Sequence, residues 1–120
     1  MTIKNILVVD DSPTDTHLLS EMLKKYGYAV SAAGNALEGI AKSKQEKPDL
    51  ILMDIVMPGM NGFEATRAIS RDPETAGIPI IIVSSKGLET DKAWGMRQGA
   101  KDYIVKPIDE KALVEKLKAF

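Results

Sequence analysis

Ile6-Leu7-Val8-Val9-Asp10-Asp11-Ser12-Pro13 is an unbroken aliphatic run that stops at two acids and restarts at once as a helix. A run without polar alternation suits a strand buried on both faces, as in a parallel sheet, better than an antiparallel strand with one wet face. Ser12 can cap the first turn of a helix, and Pro13 needs no amide donor there. The stretch therefore predicts a buried strand that feeds a helix through a turn carrying two carboxylates.

The same grammar recurs outward along the chain. Tyr28–Ala33, Leu50–Met53, Ile80–Val83 and Tyr103–Val105 are further short apolar runs, separated by segments of helical period. The first helix is expected over Pro13–Tyr26, with Leu18, Leu19, Met22, Leu23 and Tyr26 as its apolar stripe and Gly27 as its stop. Asn35 and Glu38 have capping-box spacing for a second helix, which ends before Pro48. Asn61 and Glu64 do the same for a third, ending near Arg71. A fourth is expected over Leu88–Arg97 with a weaker apolar face, and a fifth from Asp109 with Leu113, Val114 and Leu117 inward. Strands alternating with helices predict an α/β fold, a flavodoxin-like doubly wound parallel sheet in strand order 2-1-3-4-5. In such a fold the site lies beyond the carboxyl ends of the strands.

Those ends carry chemistry. Strand 1 ends in Asp10 and Asp11, strand 3 in Asp54, strand 4 in Ser84 and Ser85, and strand 5 in Lys106 and Pro107. The strand order brings strand 3 between strands 1 and 4, so three carboxylates, a hydroxyl and an ammonium converge. Three close carboxylates repel unless a cation neutralises them. All-oxygen donors select a hard ion, and Mg²⁺ takes one or two carboxylates together with phosphate oxygens and water. A carboxylate so held can attack phosphorus and form an acyl phosphate, whose oxygens the metal, Lys106 and Ser84 can each meet. Any one of these residues alone has an ordinary explanation, as a turn or helix cap, a solvated lysine or a satisfied hydroxyl. Their joint placement at four strand ends does not.

Composition narrows the classes. The chain has 120 residues, which suit one domain spanning 1–120; 44% are hydrophobic and 28% charged. A net charge of −1 with scattered basic residues gives no field for nucleic acid. No cysteine is present, so there is no disulfide framework and no thiolate zinc site. No stretch approaches a membrane span, and the first ten residues are wrongly flanked for a signal peptide. A cytoplasmic monomer without nucleic-acid or membrane partners is expected. His17, the one histidine, is expected to face solvent on the first helix. Trp94 fits either an interface anchor or a groove cover beside helix 4. The glycines of Pro58-Gly59-Met60-Asn61-Gly62 are expected to let the loop turn before helix 3.

VVDDSP (Val8–Pro13), ILMDIVMPGMNG (Ile51–Gly62), IIIVSSK (Ile80–Lys86) and GAKDYIVKPID (Gly99–Asp109) together resemble response-regulator receiver domains of the chemotaxis CheY type. The resemblance covers essentially the whole chain, with the motifs in order. DDSP, DIVMPGMNGFEATR, ETDKAWGMRQGA and KDYIVKP look most like the PilH receivers of twitching motility. The resemblance implies that Asp54 accepts a phosphoryl group from a histidine kinase or a histidine phosphotransfer domain. It implies that Asp11, Asp54 and the Val56 carbonyl ligate Mg²⁺, with Asp10 holding a metal-bound water. Ser84 becomes the switch hydroxyl and Tyr103 the switch aromatic. Lys106 contacts the phosphoryl group, and Pro107 follows a cis peptide. Such a protein assists only its own phosphorylation and dephosphorylation and is no turnover enzyme.

Within that reading, a phosphoryl group drawing Ser84 inward opens space that Tyr103 fills. The phenol then leaves the surface formed by helix 4, strand 5 and helix 5, where a downstream protein docks. With no output domain in the sequence, the effect is expected through such contact or as a phosphate sink. The alternative is a receiver-like scaffold that binds partners without phosphorylation; loss of Asp54 or Lys106 would mark it, and both are present. A flavodoxin-like carrier of FMN would want hydroxyls and glycines where Asp10 and Asp11 stand. An aspartyl-nucleophile phosphatase would need its nucleophile on strand 1 and a cap, for which no segment is long enough.

Overall fold

The computed structural model describes residues 2–120. Five strands and five helices alternate: β1 (Asn5–Val9), α1 (Pro13–Lys25), β2 (Ala29–Ala33), α2 (Ala36–Glu46), β3 (Leu50–Met53), α3 (Gly62–Arg71), β4 (Ile80–Ser84), α4 (Glu89–Gln98), β5 (Asp102–Val105) and α5 (Glu110–Lys118). All strand pairs are parallel and the order is β2-β1-β3-β4-β5, the flavodoxin-like arrangement expected.

The twofold alternation of a strand divides the core into two layers. Ile6 and Val8 of β1, Leu50 and Leu52 of β3, and Ile81 and Val83 of β4 meet Leu19 and Leu23 of α1 and Leu113 and Leu117 of α5. Their neighbours Leu7, Val9, Ile51 and Met53 turn to the other face, against Ala36 of α2 and Ala65 and Ile69 of α3. Both faces of β1, β3 and β4 are therefore covered, which is why those strands read as unbroken apolar runs.

Local signals set the helix ends. Ser12 Oγ accepts from the Asp15 amide, and Asn35 Oδ1 from that of Glu38. Asn61 and Glu64 bond each other's backbone amides reciprocally. Leu88 offers α4 no such cap; the Asp91 carboxylate reaches back to its amide instead.

The α1 stripe is narrower than the sequence suggests. Leu19 and Leu23 are buried, whereas Leu18 and Tyr26 are exposed, because α1 meets only one edge of the layer it shares with α5. The Tyr26 phenol donates to Glu110 at the start of α5 instead. His17 is exposed as expected. The weak face of α4 is borne out: its one buried residue is Gly95, where a Cβ would lie 2.6 Å from Ile82 Cδ1. Trp94 stands 48% exposed on that helix.

Candidate functional site

The sheet's own hydrogen bonding aims the functional residues. Asp10, Asp54, Ser84 and Lys106 each stand at or one residue beyond the end of a strand, and three of them are tied to the neighbouring strand by one further rung. The Asp10 amide donates to Ala33 O (3.1 Å), that of Asp54 to Val9 O (2.9 Å), and that of Lys106 to Ser84 O (2.9 Å). Backbone position is thus fixed to the last residue before the chain turns away.

Asp10, Asp11 and Asp54 each offer one carboxylate oxygen to a group whose members all lie within 4.8 Å of one another. Asp10 and Asp54 are buried and Asp11 is exposed. Lys106 Nζ stands 3.0 Å from Asp10 Oδ2 and 3.9 Å from Asp54 Oδ2, and 2.9 Å from Asp15 Oδ2. Asp10 Oδ1 accepts from the Ser12 amide, and Asp54 Oδ1 from that of Ile55, both at 2.9 Å. Lys106 follows β5 directly, and its bond to Pro107 is cis, as expected.

Burial, and next the charge of Asp10, push the Asp54 carboxyl up to about 6 against the opposing pull of Lys106. Burial disfavours the Lys106 ammonium, but the hydrogen bonds of Asp15 and Asp10 and the field of Asp54 outweigh it and raise its pKa. Three carboxylates, those of Asp10, Asp15 and Asp54, lie within 4 Å of this one ammonium, and Asp11 joins Asp10 and Asp54, so the cluster carries excess negative charge. Its donors are all oxygen, two of the acids are withdrawn from water, and they are close enough to share one ion. That set fits a hard divalent cation. Val56, expected to lend its carbonyl, lies two residues beyond Asp54 in the following loop with its side chain exposed.

Ser84 is fully buried at the end of β4. Its Oγ accepts from the Lys86 amide at 3.3 Å, and the carbonyl of that same Lys86 accepts from the Tyr103 phenol at 2.5 Å. One residue of the β4–α4 loop, Lys86, therefore links the two expected switch residues. The phenol is not at the surface: Tyr103 is 8% exposed, with its ring beside Gly95 and in a small cluster with Ile55, Ile82 and Ala100. This inward position is the one expected of the phosphorylated protein; here the Lys86 carbonyl and the space left by Gly95 already accommodate it. Burial, and next the charge of Asp91, raise the pKa of the phenol and keep it a neutral donor.

Two participants escape a reading of the sequence. Asp15 reads as an acid suited to a helix N-terminus, and only the fold turns it toward Lys106, 91 residues away. Gly62 reads as a loop glycine. Gly59 does serve the turn, with φ of 77°, but Gly62 is needed for proximity. A Cβ on it would fall 1.9 Å from the Asp54 carbonyl oxygen, and its amide donates to Ile55 O at 2.9 Å.

Known proteins share this arrangement. The response regulator receiver domain profile matches residues 6–118. Protein PilH of Pseudomonas aeruginosa is 56% identical over 114 residues, covering 95% of this chain and 94% of that protein. The phosphate regulon transcriptional regulatory protein PhoB of the same organism is 41% identical over 97% of this chain, which spans only 51% of PhoB. Among solved structures, chemotaxis protein CheY4 of Vibrio cholerae superposes with a TM-score of 0.91 at 30% identity, covering 98% of each chain. A regulator from Chloroflexus aurantiacus gives 0.93 at 29% identity, with 98% of this chain and 97% of that one covered. Agreement over nearly the full length, in sequence and in fold, makes this chain a member of the response regulator receiver domain family.

Proposed function

We propose that the chain is a phosphoacceptor whose Asp54 takes a phosphoryl group from a phosphohistidine of a kinase or phosphotransfer protein. The observation that carries this reading is Asp54 itself: a buried carboxyl at a strand end, joined by Asp10 and Asp11 and standing 3.9 Å from Lys106. A phosphoryl oxygen projecting from Asp54 would come nearer to Lys106 Nζ than the carboxylate does. Asp54 Oδ attacks phosphorus, the P–N bond breaks, and the histidine nitrogen leaves with the bonding pair. Lys106 and the Ser84 hydroxyl then donate to phosphoryl oxygens. Mg²⁺, when held by Asp11, Asp54 and the Val56 carbonyl, with Asp10 acting through water, supplies the charge neutralisation that lets an anion approach an anion. The protein catalyses nothing beyond its own phosphorylation and dephosphorylation.

Output is assigned to the α4–β5–α5 surface, where Trp94 and Met96 of α4 and Val105 of β5 expose apolar area. We read 1–120 as one receiver domain that acts by contact with a protein target or as a phosphate sink. Likeness to PilH supports a role in type IV pilus twitching motility. No described helix is long and apolar enough to cross a membrane, and we place the protein in the cytoplasm as a monomer. A phosphorylation-independent scaffold is disfavoured, since it has no use for a buried acid that clusters with two others.

With Mg²⁺ and acetyl phosphate, intact-mass analysis should record one added phosphate, mapped to Asp54 and lost with Asp54→Ala or EDTA. Labelling unchanged in Asp54→Ala would overturn the assignment. Ser84→Ala should still accept phosphate, because Ser84 only donates to it. The variant should lose most of the amide-exchange response over 88–103 that beryllofluoride produces in the wild type. An unaltered response would remove Ser84 from the switch.

A further inference from the structure

Lys106 has two anchors, and only one belongs to the expected site. Its ammonium is held at 3.0 Å by Asp10 and at 2.9 Å by Asp15, and these bonds leave it 3.9 Å from Asp54, beyond hydrogen-bond range. Asp15 sits in the first turn of α1, where the helix dipole alone would favour an acid. The dipole explains the charge but not its aim. Its Oδ2 makes the shortest contact of the ammonium, from a side chain far wetter than those of Asp10 and Asp54.

We propose that Asp15 is a positioning residue that competes with the Asp54-bound phosphoryl group for Lys106 and so restrains phosphorylation; this rests on the reading of Asp54 as phosphoacceptor. The argument is electrostatic. The single positive charge of Lys106 is already answered by two carboxylates in direct contact, so less of its field reaches a third anion. Asp15 also lies on the α1 side of the ammonium, and its pull opposes movement toward Asp54. When a phosphoryl group arrives, Lys106 is handed from Asp15 toward it. Asp15 can then turn to water, because its side chain is 44% exposed, whereas Asp10, at 5%, cannot.

The test measures beryllofluoride affinity in the presence of Mg²⁺ for Asp15→Asn and Asp15→Glu, each in the wild-type and in the Lys106→Gln background. Asn keeps the shape of Asp15 and removes its charge. It should raise affinity about threefold, the range of a part-exposed ion pair. The gain should vanish in Lys106→Gln, and Asp15→Glu should keep the wild-type value. An equal gain in both backgrounds overturns the proposal, since Asp15 would then act on the anion directly. No gain, or a loss, overturns it too. A second measurement needs no phosphoryl chemistry: in the metal-free protein the Lys106 ammonium, held by two carboxylates, should give a slowly exchanging ¹H–¹⁵N signal. That signal should persist in Asp15→Glu and vanish in Asp15→Asn. If beryllofluoride fails to bind at Asp54 at all, the phosphoacceptor reading falls. The ammonium signal alone then decides, and its survival in Asp15→Asn refutes the anchoring.

Discussion

Gly62→Ala should lower the unfolding free energy by about 3 kcal/mol or more, the upper range for forcing a methyl into a filled core. A Cβ there would stand 1.9 Å from the Asp54 carbonyl oxygen, 2.7 Å from its carbon and 2.8 Å from Ile55 Cα. All three obstacles are backbone, so no rotamer change relieves the clash. Either α3 retreats, breaking the bond from the Gly62 amide to Ile55 O, or the turn after β3 moves. The second route displaces Asp54, so phosphate acceptance should fall even at temperatures where the variant stays folded. Gly59→Ala is the control. It has an open position with nothing within 4 Å and suffers only from its positive φ, a cost of roughly 1–2 kcal/mol. Urea unfolding of the two variants checks the order; a wild-type midpoint for Gly62→Ala would disprove the close approach.

Asp54→Asn should stabilise the metal-free protein, and the gain should depend on pH. Burial and the Asp10 charge raise the Asp54 carboxyl to about 6, above its value in an unfolded chain of about 4. The folded protein therefore binds this proton more tightly than the unfolded one. Its contribution to stability is fully present below about pH 4, declines as pH rises through 6, and is absent above. A shift of about two units corresponds to roughly 2–3 kcal/mol. In EDTA the asparagine variant should exceed the wild type by about that much at pH 8 and by little at pH 4. The Lys106 ammonium titrates far above this window and keeps Asp10 and Asp15 as partners in the variant. Thermal melts across that range, repeated with Mg²⁺ to stabilise the wild type, test the sign; equal melting at pH 8 would refute it.

The fold is legible because β1, β3 and β4 are covered on both faces, and a doubly covered strand is written as an unbroken aliphatic run. The site is legible for the same reason: the run stops where the rungs stop, and Asp10, Asp54, Ser84 and Lys106 stand at those stops. What the sequence hides depends on contacts at long range. Leu18 and Leu19 are alike in composition, yet only the packing of α1 beside α5 decides that Leu19 goes inside. Asp15 is an ordinary first-turn acid until β5 arrives. Tyr103 is inward because a glycine on α4 leaves it room and a loop carbonyl accepts its hydrogen bond, neither of which is marked in the strand that carries it.

The pairing of Asp10 with Lys106 joins residues 96 positions apart. No local fragment can make it, and a chain in which β1, β3 and the turn after Asp54 had formed without β5 would lack the cation that Asp10 and Asp54 face. Closing the cluster therefore needs β5 docked on the sheet, and non-local closure of this kind is slow compared with helix formation. A chain without β5 in place would present these acids without the ammonium that stands beside Asp54. The acids and their cation thus come together only in the folded molecule.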